Sequence, residues 1–397
     1  MPPGGVFDQK TRTDSSPSGH DEGTFDFLNR VEGGYWQQIR DLMEEWFARL
    51  PSSAKDDVRS RLRSRDDRHF SAAFFELYLH ESLVRGGFQV TCHPSVPNSS
   101  RAPDFLVESH STGFYLEATS VSEPDLDWAA SRRLARMHEA LNRMESPHFF
   151  LSVEVDSVGA SDINTRRLRA GLKQWLSGLD PDEVGKHYLQ ASRADAVPSR
   201  TWNDNGWTLT VSVIPKSIEA RGKPGLRPLG MFGPAGAMSV DVVSPVRKAL
   251  TQKGSAYGEL GLPFIVAVRQ GSTFPLSSGI AEALYGSLQV TITSGPDQEP
   301  SYSEGRAGDG FWLGNTTWRN KRVSGVLSAT NLHPWSVASE VPVLWHHPQC
   351  AAPIPAIDFW GRVDLVGSAL QTTEALRGPS EHFGLPRTWP EGEPFED

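Results

Sequence analysis

Three carboxylates stand in apolar surroundings. Glu117 lies in FYLEATSV (114–121) between Leu116 and Ala118, Asp104 follows Pro103 and opens the run DFLVE, and Glu76 is enclosed by Phe74, Phe75, Leu77 and Leu79. Burying a carboxylate is costly unless a cation or hydrogen-bond donors meet it. If the runs 103–108 and 114–121 pair as strands, the two-residue period puts Glu117 and Thr119 on one face and Leu116 and Ala118 on the other. Two acids on adjacent strands raise each other's pKa unless a divalent cation lies between them. Hard oxygen ligands of this kind suit Mg²⁺ (or Mn²⁺), which takes one or two carboxylates and keeps several waters. Blander readings stand beside this one: Glu76 paired with an arginine, Asp104 as an ordinary strand-entry residue, Glu117 in a structural salt bridge.

The elements that must position these acids follow from periodicity. Trp36, Ile39, Leu42, Met43, Trp46 and Leu50 recur at helical steps within Phe25 to about Leu62, and a second helix is expected from about Asp67 to Arg85, ended by Gly86-Gly87. FQVTCH (88–93), PDFLVE (103–108) and FYLEATSV read as strands, with His110 to Gly113 as a hairpin connection. An Arg-rich amphipathic helix is expected at 125–145, a strand at FFLSVEVD (149–156) and a helix at 162–177. The order helix, strand, strand, strand, helix, strand predicts an α/β chain, a small mixed sheet flanked by helices. TLTVSVIP (208–215) and PFIVAV (263–268) predict further buried strands, so the C-terminal half is expected to pack on the core as an α/β extension.

The helix FFELYLHESL, the strand PDFLVE and the strand YLEATS, in that order, resemble the PD-(D/E)xK, or restriction-endonuclease-like, nuclease superfamily over about residues 66–180. The resemblance implies that Asp104 and Glu117 hold the metal together with the backbone carbonyl of Ala118, and that Glu76 supports it from the helix. It implies hydrolysis of DNA phosphodiesters by a Mg-dependent endonuclease, in which the metal polarises the phosphate and acidifies the attacking water. Thr119 occupies the family's lysine position. Threonine cannot carry that charge, although its hydroxyl can hold a metal-bound water. A cation from elsewhere, with His80 one turn after Glu76 as a candidate, would fill the gap. The alternative is a catalytically inactive binding or regulatory module on the same scaffold.

Composition bounds the rest. The chain has 397 residues, with 39 Lys and Arg against 48 Asp and Glu, a formal net charge of −9. That argues against a non-specific nucleic-acid coat, which relies on phosphate neutralisation, and leaves room for local basic surfaces. Arg132, Arg133 and Arg136, then Arg166, Arg167 and Arg169, are the expected nucleic-acid-binding residues, on helices flanking the acids. Cys92 and Cys350 are too few for a disulfide framework and fit a reducing, cytoplasmic setting, and no apolar run approaches a membrane span. The expected divisions are a disordered lead at 1–24, a helical segment at 25–65, the nuclease-like core at 66–215, the extension at 216–365 and a loose tail at 366–397. His346-His347 with Cys350 is half of a zinc site without a second half. Gly233 to Ala237 reads as a turn rather than a phosphate loop. Phe311, Trp312, Trp318, Arg319, Lys321 and Arg322 mix aromatic and cationic side chains, as stacking and phosphate binding require, or as an exposed hairpin would.

Overall fold

The computed structural model describes the chain apart from residues 1–3, 20, 98, 111, 123–127, 191–197, 224–227, 230–242, 272–276, 296–297, 316, 368 and 396–397. It divides into two compact units: Met1–Pro17, Gly23–Pro124 and Asp241–Asp397 form one, and Ser18–Glu22 with Asp125–Val240 form the other. The turn expected at 233–237 lies outside the described residues.

In the first unit the helical stretch read as one segment is three helices, α1 (Thr24–Arg30), α2 (Gly34–Arg49) and α3 (Ser52–Leu62). Pro51 breaks the run between α2 and α3, since proline offers no N–H to continue a helix. The helix α4 (Asp67–Arg85) starts where the Asp66 side chain accepts from the Arg68 N–H. It ends where Gly87, at φ 82°, donates to the Val84 carbonyl and Phe88 donates to that of Leu83. A left-handed residue after the last turn favours glycine, so the expected stop is observed.

The strands β1 (Gln89–Cys92), β2 (Phe105–Glu108) and β3 (Gly113–Ser122) then form an antiparallel meander. The next partner of β3 comes from much later in the chain. After the second unit, α8 (Val243–Gly254) leads into β7 (Phe264–Gly271), which pairs parallel with β3 from Tyr115↔Phe264 to Ser122↔Gly271. Then follow α9 (Ser277–Tyr285), the hairpin β8 (Leu288–Gly295) and β9 (Gln298–Arg306), and β10 (Gly325–Thr330) to β13, with β11 at Val343–His346, β12 at Gly361–Val366 and β13 at Ala369–Thr373. The resulting eight-stranded mixed sheet has the order β1-β2-β3-β7-β10-β11-β12-β13.

Two apolar layers cover this sheet. Phe70, Phe74 and Leu77 of α4 pack with Leu116, Ala118, Ile265, Ala267 and Leu327 on one face. Val246 and Leu250 of α8 and Ile280 of α9 pack with Tyr115, Val266, Val268 and Val326 on the other. Buried on both faces, β7 reads as the continuous apolar run FIVAV rather than an alternation.

The expected mixed sheet between helices is therefore present, but its composition differs from the reading at 66–215 and 216–365. The centre of the sheet joins both sides of that boundary, and the segment after β3 belongs to the other unit. The lead is not structureless: Val6 and Phe7 are buried, and their N–H groups donate to Glu44 at 3.0 and 2.7 Å. The tail is tied down too, through the short helix α10 (Pro379–Phe383) and the buried side chains of Phe383 and Trp389. Both segments are polar in composition and are held by a few large apolar anchors, which composition averages away.

The second unit contains α5 (Trp128–Asn142), β4 (Phe149–Ser157), α6 (Thr165–Leu176), α7 (Pro181–Gln190), β5 (Ser199–Asp204) and β6 (Trp207–Pro215). Its antiparallel sheet, β4-β6-β5, buries Leu151, Leu209, Val211 and Val213 against Met137, Leu141, Leu168 and Leu172 of the helices. Residues Asn205 and Gly206, both at positive φ, make the tight turn of the β5–β6 hairpin. The strands FFLSVEVD and TLTVSVIP are thus real, in a sheet of their own. Among the described residues no helix is long and apolar enough to cross a membrane.

Candidate functional site

Pairing of β2 with β3 ends at Phe105↔Leu116, so Asp104 and Glu117 meet just beyond the last pair. The Asp104 N–H donates to Glu117 Oε2 at 3.2 Å, and the Ala118 N–H donates to Asp104 Oδ2 at 2.7 Å. In a strand the N–H and C=O of one residue point to the same side. The Ala118 carbonyl therefore also faces the side on which β2 has stopped. The hairpin expectation holds, and both acids share the face covered by α8. Next to them His93 adopts a left-handed backbone (φ 48°), at a cost of order 1 kcal/mol, and its N–H donates to the Asp104 carbonyl at 2.9 Å.

A cation does come from elsewhere. Lys253, near the end of α8, places Nζ 2.6 Å from Glu117 Oε1. One turn on, the Tyr257 hydroxyl donates to Glu117 Oε2 at 2.7 Å, with the Ala102 carbonyl at 3.0 Å as a competing acceptor. A phenol has one proton, and the shorter, charged partner takes it. Glu117 is only 4% exposed, and these donors are what make its burial tolerable. Sequence reading missed both residues. The signal was present as KxxxY at 253–257, a lysine in the last turn of α8 and a tyrosine in the bend just after it, but nothing local ties it to the acids.

His80, the cation proposed from the sequence, does not serve. It is buried against Phe105, its Nδ1 has no partner among the described residues, and desolvation alone pushes its pKa down to about 4. At neutral pH it is an uncharged ring in the core.

Glu76 is held by Arg61 in a two-pronged pair, Nη1 to Oε1 at 2.7 Å and Nη2 to Oε2 at 2.6 Å, and Asp57 shares the same guanidinium. The arginine-paired reading is thus the observed one. Glu76 still acts at a distance: its charge adds to that of Glu117 in raising the pKa of Asp104.

The electrostatics are asymmetric. Burial, then the Glu117 and Glu76 charges, push Asp104 up to about 8, against the weaker pull of the Ala118 N–H and Lys253. Burial works against the Lys253 charge, but Glu117, with Asp104 and Glu76 behind it, outweighs that and leaves the lysine pKa raised. Tyr257 is raised by burial and by its bond to Glu117, so it stays a phenol.

Among the described residues no group of three or more His, Cys, Asp and Glu side chains could hold a metal ion. A smaller set remains. Asp104 Oδ1 makes no hydrogen bond within the described residues, the Ala118 carbonyl points to the same side, and Glu117 is adjacent. Oxygen donors of this kind fit a hydrated Mg²⁺ or Mn²⁺ with few protein ligands. Burial first, and then the repulsion of Glu117 and Glu76, keep the proton on Asp104, and a cation between the acids would relieve the repulsive part. Thr119 shares the face of Glu117, is half-buried, and its hydroxyl makes no hydrogen bond among the described residues.

Beside this cluster, Tyr257 also lines a cleft of about 170 Å³ with Gly258, Glu259, Leu262, Phe264 and Arg322.

The six arginines expected to bind nucleic acid all belong to the second unit, whereas the acids belong to the first. Arg136 pairs with Asp162 at 2.5 Å, and Arg167 lies 4.0 Å from Asp204. Arg133 is half-buried, Arg166 is exposed and Arg169 half-exposed, and the side chain of Arg132 is outside the described ones.

The 306–322 mixture separates: Phe311 and Trp312 are core residues, Arg319 donates to the Gly308 carbonyl, Lys321 donates to Gln349, and Arg322 remains exposed. The two neighbouring histidines are also engaged. His346 Nδ1 lies 3.1 Å from an Asp364 oxygen, and His347 Nε2 donates to the Arg319 carbonyl.

Compared with models of protein families, with curated proteins and with solved structures, the chain has no match in any of the three.

Proposed function

We propose that the chain is a divergent metal-dependent nuclease of the PD-(D/E)xK type, hydrolysing DNA phosphodiesters at the Asp104–Glu117 cluster. The observation that carries this reading is Lys253 on Glu117: an ammonium beside the paired acids, where Thr119 leaves the family's lysine position without charge. Topology supports it as well. The order α4, β1, β2, β3, α8, β7, with β3 and β7 parallel, is the order expected from sequence, once α8 and β7 replace the helix and strand that follow β3 directly.

Asp104, Glu117 and the Ala118 carbonyl would hold the Mg²⁺ or Mn²⁺. That ion, when bound, supplies Lewis-acid polarisation of a phosphate oxygen and acidifies water. The protein's own groups do the rest. Lys253 offsets the negative charge that grows on the phosphate as it is attacked. Tyr257 fixes the orientation of Glu117, and Thr119 can hold a water by hydrogen bond. Arg61 holds Glu76 in place, where its negative field favours a cation between the other two acids.

A second reading has its own support. Both Glu117 oxygens already have donors, so the cluster is neutralised without any ligand. A binding or regulatory module would look the same. Incubation of the purified protein with single- and double-stranded DNA and Mg²⁺ or Mn²⁺ separates the two. The nuclease reading requires cleavage that EDTA stops and that Asp104→Asn and Lys253→Met each reduce by at least about 10²-fold. Absence of metal-dependent cleavage from well-folded protein would leave the binding module.

A further inference from the structure

The cleft beside the acids measures about 170 Å³, well below the roughly 300 Å³ at which sites for drug-sized ligands begin. It suits one small ring system and is too small for a base pair. Its floor is apolar: Phe264, and the ring of Tyr257, which meets Phe264 edge-on at 5.7 Å. Leu262, in the loop after α8, is partly exposed and adds an apolar wall. The rim is open, since a side-chain carbon at Gly258 or Gly261 would meet nothing within 4 Å. Two exposed charges of opposite sign, Glu259 and Arg322, also line it. Taken singly, unpaired surface charges are ordinary. Here they border one small cleft, yet among the described residues neither side chain pairs with the other or with any third group. A ligand between them would need donors for the carboxylate and acceptors for the guanidinium. The cleft is also close to the acids: the Tyr257 ring lines it while the Tyr257 hydroxyl donates to Glu117 Oε2 at 2.7 Å, so one side chain touches both.

We propose that this cleft receives an unpaired guanine of the strand held at the acids. Among the four bases only guanine carries two adjacent donors, N1–H and the 2-amino group, which one carboxylate accepts side by side. Its O6 and N7 lie on the next edge and accept from a guanidinium. Adenine and cytosine place an acceptor beside their amino group, and thymine has a single N–H between two carbonyls. In a duplex the N1–H and 2-amino group of guanine are already bonded to cytosine. Glu259 can therefore read the base only in a single strand, or once it is flipped out of a duplex. The inference rests on the nuclease reading and adds a substrate class to it, guanine-containing single-stranded DNA.

The test is calorimetric binding of dGMP, dAMP, dCMP and dTMP to the full chain, in EDTA so that metal plays no part. dGMP should bind about tenfold or more tightly than the other three, within the range for one bidentate base contact. dIMP, which lacks the 2-amino group, should bind more weakly than dGMP. Glu259→Gln should remove most of the preference, because its amide offers one acceptor in place of two. Arg322→Met should weaken dGMP several-fold. Both positions are exposed, so the variants should fold, and circular dichroism checks that they do. dGMP that binds no more tightly than the other three, or not at all, would overturn the inference, as would a preference that Glu259→Gln leaves intact. If the preference appears and depends on Glu259 but no DNA is ever cleaved, the nuclease reading alone fails. If DNA is cleaved and dGMP is not preferred, the guanine cleft alone fails.

Discussion

Lys253 Nζ lies 2.6 Å from Glu117 Oε1 although the two residues are 136 apart in the chain. A helix packed on the same face of the sheet thus brings an ammonium to Glu117, and under the proposed function it replaces the charge that position 119 lacks. Lys253→Met should therefore lower any metal-dependent cleavage by about 10²-fold or more. Adding Thr119→Lys to that variant should recover part of the loss, because position 119 shares the face of Glu117. In the unaltered chain Thr119→Lys should bring no gain, since a second ammonium would crowd the first. Cleavage rates of the four proteins decide it, and recovery absent from the double variant would count against a relocated charge.

Asp104 makes stability depend on pH in an uncommon direction. Its folded pKa, pushed up to about 8, exceeds the value of about 3.9 for an exposed aspartate, so the native state holds the proton more tightly. The stability this contributes is fully present below about pH 4 and is lost as pH rises toward 8. Urea midpoints measured from about pH 5 to 8 should fall in the parent and fall less in Asp104→Asn. Identical pH dependence in the two proteins would remove Asp104 as the cause.

If the proposed Mg²⁺ or Mn²⁺ binds at Asp104, the same proton competes with it. Binding of Mn²⁺, followed by calorimetry without any substrate, should strengthen by up to about tenfold per pH unit between about pH 6 and 8 and release protons. Asp104→Asn should abolish both effects. Mn²⁺ affinity that is flat across this range would mean that Asp104 is not a ligand.

Tyr257→Phe removes the shorter of two hydrogen bonds to Glu117 Oε2, leaving that from the Asp104 N–H, and keeps the ring in place. The expected loss of stability is about 1 kcal/mol, with a somewhat larger share if the carboxylate is left under-solvated. Cleavage should fall less than in Lys253→Met, because a positioning group is removed and not a charge. Chemical denaturation and rate measurements on the same variant check both parts.

Arg61→Ala strands a mostly buried carboxylate, since Glu76 keeps only 14% of its side-chain surface exposed. A loss of about 1–3 kcal/mol is expected, below the full cost of breaking a deeply buried pair because both partners retain some water. Arg61→Ala with Glu76→Gln should be less unstable than Arg61→Ala alone. Equal destabilisation in the single and double variants would show that the pair carries no coupling.

Local chemistry was legible in the sequence and long-range pairing was not. Glu117 between Leu116 and Ala118 announces a buried acid, and Gly86-Gly87 announces the end of α4. The run FIVAV likewise announces a strand covered on both sides. Each is a short-range consequence of burial or backbone freedom. Nothing comparable says that β7, rather than FFLSVEVD, lies beside β3, because both are apolar runs that would satisfy the same neighbour. Lys253 was invisible for the same reason, as its partner is fixed by topology. The inserted unit did leave one mark, Asn205-Gly206 between two alternating strands, a hairpin signal that belongs to a self-contained sheet.

The pairing of β3 with β7 also orders events during synthesis. Asp104 and Glu117 leave the ribosome long before Phe264–Gly271, and Asp125–Val240 of the second unit are made between them. Until β7 arrives, one side of β3 is an open edge, and Glu117 has neither Lys253 nor Tyr257. Closing so long a loop adds little to the equilibrium cost, because that cost grows only with the logarithm of length, but it slows folding of the sheet. The acids therefore acquire their low-dielectric setting last, and a nascent chain should carry a solvated, conventionally titrating Asp104 until the central strands join.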